Sequence, residues 1–143
     1  FRKRFIGSSY HSRPEISLNS SIAERIVEDL KQKSSKTAEE VSTYFGEMNE
    51  AFEEMRRVLR KGGLACIVVG NTSLKKVEIL NAEVFTEQLR NLGFAVDKVI
   101  KREIPSKNLP STRDEETGQF ARSDHANKTL VYPTEFIICM KKL

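Results

Sequence analysis

The sequence is poor in the residues that build metal clusters, disulfide frameworks and membrane spans. It has no tryptophan, two cysteines, two histidines and four prolines among 143 residues. Cys66 and Cys139 both lie in apolar, strand-like runs, which favours buried free thiols over a redox pair or metal ligands. His11 and His125 have no partner at ligand spacing, so no metal site is expected. No apolar run is long enough to cross a bilayer, so a membrane protein is not expected.

Motifs for nucleotide binding and for self-contained catalysis are also missing. The chain has neither a Gly-x-x-x-x-Gly-Lys-Ser/Thr phosphate loop nor a Gly-x-Gly-x-x-Gly dinucleotide fingerprint. Adjacent glutamates occur at residues 39–40, 53–54 and 115–116, but nothing in the sequence places one of these pairs opposite another acid. We therefore expect no catalytic residues in this chain, and an enzyme activity would need groups from a longer chain or from a partner.

The charge is distributed unevenly along the chain. The net charge is +4, and residues 1–13 carry Arg2, Lys3, Arg4 and Arg13 without an acidic residue. A basic arm beside a balanced domain suits a polyanion partner, although a solvated terminal segment explains it equally well. The chain begins with Phe and shows no signal-peptide pattern, so we expect a piece of a longer cytoplasmic protein.

The central feature of the pattern is a helix followed by paired glycines and an apolar strand. A capping box at Thr37–Glu40 opens a long amphipathic helix. We expect Gly62 and Gly63 to close its C-terminus in the left-handed conformation. Leu64–Val69 is uninterrupted apolar, which predicts a strand that is buried on both faces, within a parallel sheet.

The remaining pattern predicts alternating helices and strands around this centre. A first capping box at Ser21–Glu24 predicts a short helix, and Asn81 opens another helix that Gly93 ends. The predicted loops are residues 1–19 and 105–130, and the last two predicted strands are residues 94–104 and 134–140. Because no crossover helix separates these two strands, we expect them to pair antiparallel.

A polar turn follows the apolar strand and is a candidate pocket. The turn spans residues 71–76, and Gly70, Asn71, Thr72 and Ser73 come directly after the strand. Ligands bind outside the carboxyl ends of strands in open α/β sheets, so these residues are placed to line a site. The alternative is that the turn only caps the next segment.

Together these residues carry a resemblance to a known family. The helix ending in Arg-Val-Leu-Arg-Lys-Gly-Gly, the strand Leu-Ala-Cys-Ile-Val-Val-Gly-Asn and the helix ending in Leu-Arg-Asn-Leu-Gly-Phe resemble the C-terminal half of a class I S-adenosylmethionine-dependent methyltransferase. The resemblance implies an α/β fold with part of a Rossmann-like sheet, in which a parallel strand is followed by an antiparallel terminal strand pair with flanking helices. It covers residues 37–143 and leaves residues 1–36 as a basic arm and a short helix.

Two further segments resemble amino-directed DNA methyltransferases, which modify adenine N6 or cytosine N4. They are the opening Phe-Arg-Lys-Arg-Phe-Ile-Gly-Ser and the segment Arg102-Glu-Ile-Pro-Ser-Lys107. Such enzymes extrude the target base, so phosphate anchors and a polar pocket are needed. The resemblance implies DNA as the partner, with restriction–modification as the setting. The implied nucleic-acid contacts are Arg2, Lys3, Arg4, Arg102, Ser106, Lys107 and Arg113.

The chain departs from this family in the motifs that hold the methyl donor. It has no Gly-x-Gly after a first strand, no acid for the cofactor ribose and no Pro-Pro-Tyr. We therefore expect S-adenosylmethionine to bind only to a complete enzyme, and the chain to be inactive alone. An exposed strand edge would favour a homodimer, strand exchange or association with the missing half. The alternatives are a methyltransferase for RNA, such as guanine N2 of tRNA, one for a small molecule, or a non-catalytic nucleic-acid-binding subunit.

Overall fold

The computed structural model describes residues 5–7, 15–104, 112–114, 121, 126, 128–130 and 134–143, which form a mixed α/β fold. Predicted contacts at Arg2, Lys3, Arg4, Ser106 and Lys107 lie outside the described residues. The helices are α1 (Ser21–Lys31), α2 (Ser35–Val58) and α3 (Asn81–Asn91). The strands are β1 (Leu64–Val69), β2 (Thr72–Leu74), β3 (Val77–Ile79), β4 (Phe94–Glu103), β5 (Thr112–Asp114), β6 (Lys128–Leu130) and β7 (Thr134–Lys142).

The first two helices begin at serines that precede the predicted capping boxes. Ser20 caps α1, and its Oγ accepts a hydrogen bond from the backbone N–H of Ala23 at 3.0 Å. Ser34 caps α2 in the same way through the N–H of Thr37, at 3.3 Å. The predictions of Ser21 and Thr37 as capping residues were therefore wrong, because the two serines have the extended backbone that an N-cap requires.

The paired glycines form a turn rather than the end of a helix. Helix α2 already ends at Val58, and Leu59 has an extended backbone. Gly62 has a φ of +77°, and the N–H of Gly63 donates to the carbonyl of Arg60 at 2.9 Å. The N–H of Gly62 donates to the carbonyl of Lys142, also at 2.9 Å. The predicted role was wrong: the glycines turn the chain into β1 and attach this turn to the end of β7.

The main sheet has three strands in the order β1-β7-β4. Strand β7 runs antiparallel to both of its neighbours, so β1 and β4 point in the same direction. The predicted antiparallel pairing of the last two long strands, β4 and β7, is confirmed. The predicted parallel pairing of β1 was wrong for the described part of the chain, where β7 is the only strand beside it. Two further strand pairs, β2-β3 and β5-β6, form separate hairpins.

The two faces of this sheet differ in their surroundings. The face that carries Ala65, Ile138 and Met140, here called the inner face, is buried against the helices. The opposite or outer face carries Leu64 and Val68, which are 53% and 58% exposed. The prediction that residues 64–69 are buried on both faces was therefore wrong. An edge strand with helices on one side only leaves alternate side chains in solvent.

The two cysteines lie opposite each other on the outer face. Cys66 of β1 is paired in register with Cys139 of β7, and their sulfur atoms are 3.1 Å apart. Both thiols are free, as the sequence predicts. Only Cys139 is buried, so the predicted burial was wrong for Cys66, whose side chain lies on the open face of the edge strand.

The core is built around a cluster of aromatic rings between α2 and α3. Phe85 of α3 packs edge-on against Phe52 and Phe45 of α2, with ring centroids 5.1 and 6.5 Å away. All three rings are at most 2% exposed. The aromatic side chains on the buried face of the long amphipathic helix thus form core packing.

Helix α1 belongs to the same packed unit. Its buried residues Ala23, Ile26, Val27 and Leu30 join the core, and the boundary expected between residues 36 and 37 falls within α2. The buried side chain of Gln88 donates from Nε2 to the carbonyls of Leu18 and Phe45 at 2.7 and 2.9 Å. Segment 16–20 is thereby attached to both α2 and α3. No described helix is long and apolar enough to span a membrane.

Candidate nucleic-acid interface

The candidate site lies at the edge of the main sheet where β1 and β4 end. Because these two strands run in the same direction, their carboxyl ends, Val69 and Glu103, meet the same edge. Strand β7 begins at this edge with Thr134, which is paired with Glu103. The β2-β3 hairpin follows β1 in the chain, and Ile104 follows β4. Ligand sites of open α/β sheets occupy the carboxyl edge.

The turn after β1 connects the strand to helix α3. The side-chain oxygen of Asn71 accepts from the N–H of Ala82 at 2.9 Å, and its amide donates to Glu83 at 2.8 Å. The amide of Asn81 donates to the carbonyl of Gly70 at 2.8 Å. Asn71 therefore caps α3 from outside the helix, in place of the N-cap residue Leu80, which makes no side-chain capping bond.

This geometry favours the second interpretation of the predicted pocket, in which the turn caps the next segment. Both polar ends of the Asn71 side chain are engaged in the protein. Thr72 and Ser73 are not in a loop but in strand β2, paired with Ile79 and Glu78. The four residues are close together in space, yet Gly70 and Asn71 serve to fix the start of α3 relative to β1.

The β2-β3 hairpin, which follows β1 in the chain, has two exposed lysines in its turn. Leu74 pairs with Val77, so Lys75 and Lys76 form a two-residue turn. Both have positive φ values, 52° and 62°, and both side chains are exposed. Both lysines fall in the predicted polar turn, but the sequence did not single them out as a candidate site. The sequence carries no clear hairpin signal here, because Lys-Lys is not one of the turn sequences that two-residue hairpin loops prefer.

Two predicted DNA contacts lie within the described residues, and they differ in their surroundings. Arg102 is on β4 at the carboxyl edge, where its guanidinium forms an ion pair with Glu135 of β7 and remains largely exposed. Arg113 lies on β5 and is half-buried. Its neighbour Thr112 is buried and closes a small loop, with its hydroxyl donating to the carbonyl of Ala121 at 2.8 Å. Arg102 thus lies near the end of β4 in the main sheet, whereas Arg113 belongs to a separate hairpin.

A second polar cluster holds the start of α1 against α3. The carboxylate of Glu87 accepts hydrogen bonds from the hydroxyls of Ser20 and Ser21 and from the N–H of Ile22. Partial burial acts to raise the pKa of Glu87, but these hydrogen bonds outweigh it and lower the pKa below its ordinary value. A carboxylate at the amino end of a helix is also favoured by the helix dipole. The arrangement is structural, because every donor belongs to the chain itself.

The polar groups directly after β1 are already engaged and are not available to bind S-adenosylmethionine. The polar groups directly after β1 are bonded to α3, and the acidic side chain nearest to them, Glu83, accepts from Asn71. In the described part of the chain, no group of three or more His, Cys, Asp or Glu side chains could hold a metal ion. What the described residues do offer is exposed positive charge on a hairpin and on β4.

The outer face carries two exposed lysines away from this edge. Lys98 of β4 is paired with Cys139, and Lys141 of β7 is paired with Leu64 at the start of β1. Lys141 therefore lies at the end of the sheet opposite the carboxyl edge.

We compared the chain with protein-family models, with curated proteins and with solved structures, and none of them matches it.

Proposed function

We propose that these residues form the C-terminal half of a methyltransferase that transfers a methyl group from S-adenosylmethionine to an exocyclic amine of adenine or cytosine in DNA. The observation that carries the proposal is the position of β7. This last strand lies between β1 and β4 and runs against both of them, while β1 and β4 share a direction and are separated in sequence by helix α3. An antiparallel last strand is what the resemblance to class I methyltransferases implies.

DNA is supported as the substrate by exposed positive charge on the β2-β3 hairpin and on β4. Lys75 and Lys76 are exposed in the turn of the hairpin that follows β1, and Arg102 is exposed near the end of β4. Contacts from lysine and arginine to phosphates supply most of the sequence-independent affinity for DNA. A small-molecule substrate would instead be enclosed by a concave, mostly apolar pocket. The exposed, basic hairpin favours a polyanion.

The cofactor would be held by residues other than these 143. The polar groups that follow β1 are bonded to α3, and the sequence has no glycine-rich donor-binding motif. The outer face and the free edge of β1 offer surfaces on which such residues could pack. We therefore expect isothermal titration of this chain with S-adenosylmethionine to show no tight binding, and a submicromolar Kd would contradict the division of roles proposed here.

The proposal is tested in the cell that carries the gene, where the protein acts with all its natural segments and partners. DNA and tRNA are digested to nucleosides from the wild type and from a strain in which the gene is disrupted, and modified nucleosides are quantified by mass spectrometry. We expect N6-methyladenine or N4-methylcytosine in DNA to be lost on disruption and restored when the gene is returned. The nucleosides of tRNA should be unchanged.

The other outcomes separate the remaining functions. Loss of N2-methylguanine from tRNA, with DNA unchanged, would replace the proposal by an RNA methyltransferase. No change in either nucleic acid, in a strain where the gene is shown to be expressed, would contradict a nucleic-acid methyltransferase altogether. Loss of DNA methylation that is restored by a second gene supplied alone would assign the transfer step to a partner chain.

A further inference from the structure

The β2-β3 hairpin has an unfavourable turn sequence. A two-residue hairpin loop with positive φ at both positions has the geometry of a type I′ turn, for which Asn-Gly is the preferred sequence. Here the two positions are Lys75 and Lys76, with φ of 52° and 62°. A lysine in this region places its Cβ close to the backbone, a conformation that glycine and asparagine tolerate far better. The turn is therefore formed at a cost in stability.

Contacts within the chain do not explain why lysine occupies these positions. Among the residues that the structure describes, neither Lys75 nor Lys76 takes part in an ion pair or a hydrogen bond. Glu78, in the second cross-strand pair from the turn, is the one acid on the hairpin, and no ion pair among the described residues joins it to the turn. Both ammonium groups are exposed at the tip. An external anion would supply the ionic partner that these two lysines lack among the described residues.

A groove next to the hairpin carries further positive charge. Strand β3 packs against α1, and a groove of about 490 Å³ lies between them. Lys76, Arg25 and Lys33 line this groove together with Asp29 and Glu78, and the three cations outnumber the two acids. Lys75, next to Lys76 in the turn, adds a fourth cation to this part of the surface. A surface with an excess of positive charge suits a phosphate backbone.

We infer that Lys75 and Lys76 are contacts to the phosphate backbone of duplex DNA, and that the strained turn is retained to present them. This inference rests on the proposed function and names part of its substrate-binding surface. Two ammonium groups next to each other on a rigid tip neutralise adjacent phosphates and release their counterions. Such contacts position the protein on DNA without reading its sequence.

The test replaces both lysines by the preferred turn sequence, in the variant Lys75→Asn/Lys76→Gly of the full chain. Binding to a fluorescent DNA duplex of mixed sequence is measured by anisotropy from about 50 to 200 mM salt, where each lost phosphate contact lowers the salt slope by about 1. We expect the slope to fall by about 2 and the Kd at 0.1 M salt to rise at least about fivefold. The melting temperature should rise by about 2–4 °C, because the turn is relieved of strain.

The control removes the same number of charges at the opposite edge of the sheet. Arg60 and Lys61 lie in the turn before β1 begins, so Arg60→Gln/Lys61→Gln should leave the salt slope nearly unchanged. Equal binding by the wild type and the hairpin variant would overturn the inference and leave the proposed function standing. A hairpin variant that melts lower than the wild type would show that the lysines stabilise the fold, which also overturns it. If the wild type binds no DNA at 50 mM salt, both the inference and the proposed substrate fail.

Discussion

The inner and outer faces of the main sheet are made by the same three strands but are built differently. On the inner face, Ile138 and Met140 of β7 are fully buried. On the outer face, Val68, Ile137 and Ile100 form a row of aliphatic side chains across the three strands, and the two outer members are 58% and 44% exposed. The residue types in the row are those of a buried sheet. The difference shows that helices cover only one face in the described part of the chain.

The comparison explains why the apolar pattern of β1 was misleading. A continuous apolar run predicts a strand with two covered faces, and the composition of both faces agrees with that prediction. The described residues supply the cover for one face only, so the outer row remains open. Exposed rows of this kind mark surfaces that pack against other protein. The composition of β1 is thus that of a strand covered on both faces, whereas the described residues cover only one of its faces.

The largest expected effect is the loss of stability when the core beside the inner face is disrupted. Phe85→Ala removes the ring at the centre of the aromatic cluster, where it is 2% exposed, and should cost about 3–5 kcal/mol in the free energy of unfolding. Ile100→Ala on the outer face, at a position 44% exposed, should cost less than about 1 kcal/mol. Urea unfolding followed by circular dichroism measures both. Equal losses would mean that the outer row is as well covered in solution as the inner core.

A smaller effect concerns the attachment of α1 to α3. This attachment holds together the helices that pack against the inner face of the sheet. Glu87→Gln weakens the anchor at the start of α1 and should cost about 1 kcal/mol at pH 7, a modest value because solvent screens the site. The folded pKa of Glu87 is lowered, so its contribution is present above the unfolded pKa, about 4.3, and is lost as the pH falls through the folded pKa.

The measurement is the difference in unfolding free energy between the wild type and Glu87→Gln, from pH 7 down to pH 3. The difference should shrink as the pH falls, since the wild-type carboxylate becomes protonated. Glu78→Gln, at an exposed position in the hairpin, serves as the control and should show little effect at either pH. A difference that stays constant with pH would show that the charge of Glu87 is not what holds α1.

Much of the fold follows from sequence signals that act locally. The helix at Asn81, its end at Gly93 and the strand that follows could be predicted from the residue pattern. The structure agrees at the helix end: Gly93 has a φ of +85°, and its N–H donates to the carbonyl of Arg90, as a helix-ending glycine requires. The capping serines were misplaced, because several Ser and Thr residues near each helix start satisfy the same pattern. The choice between them depends on backbone conformation, which the packing of α1 on α2 decides.

The candidate site was less predictable, since it depends on which strands become neighbours. The sequence placed Asn71 after a strand, but only the structure shows that its side chain caps α3 through Ala82 and Glu83. Lys75 and Lys76 were part of a polar turn in the pattern, and their positive φ values follow from the register of the hairpin. Arg102 could be singled out by resemblance, whereas its ion pair with Glu135 depends on the pairing of β4 with β7.

The smallest expected effect, that of a substitution at Val68, sharpens the comparison between the two faces within a single strand. Val68 and Val69 are consecutive in β1, with Val68 on the outer face and Val69 packed against the inner core. The same substitution, valine to threonine, places a hydroxyl on either face. At Val69 it should cost about 1–2 kcal/mol, because the hydroxyl is partly desolvated.

At Val68 the change in unfolding free energy should stay within about 0.5 kcal/mol, since the side chain is already 58% exposed. Both variants are measured by urea unfolding at several protein concentrations. If Val68→Thr costs as much as Val69→Thr, and the cost grows with protein concentration, a second copy covers the outer face in solution. A high cost that does not depend on concentration would mean instead that the chain covers this face itself, and the distinction between the two faces drawn here would be wrong.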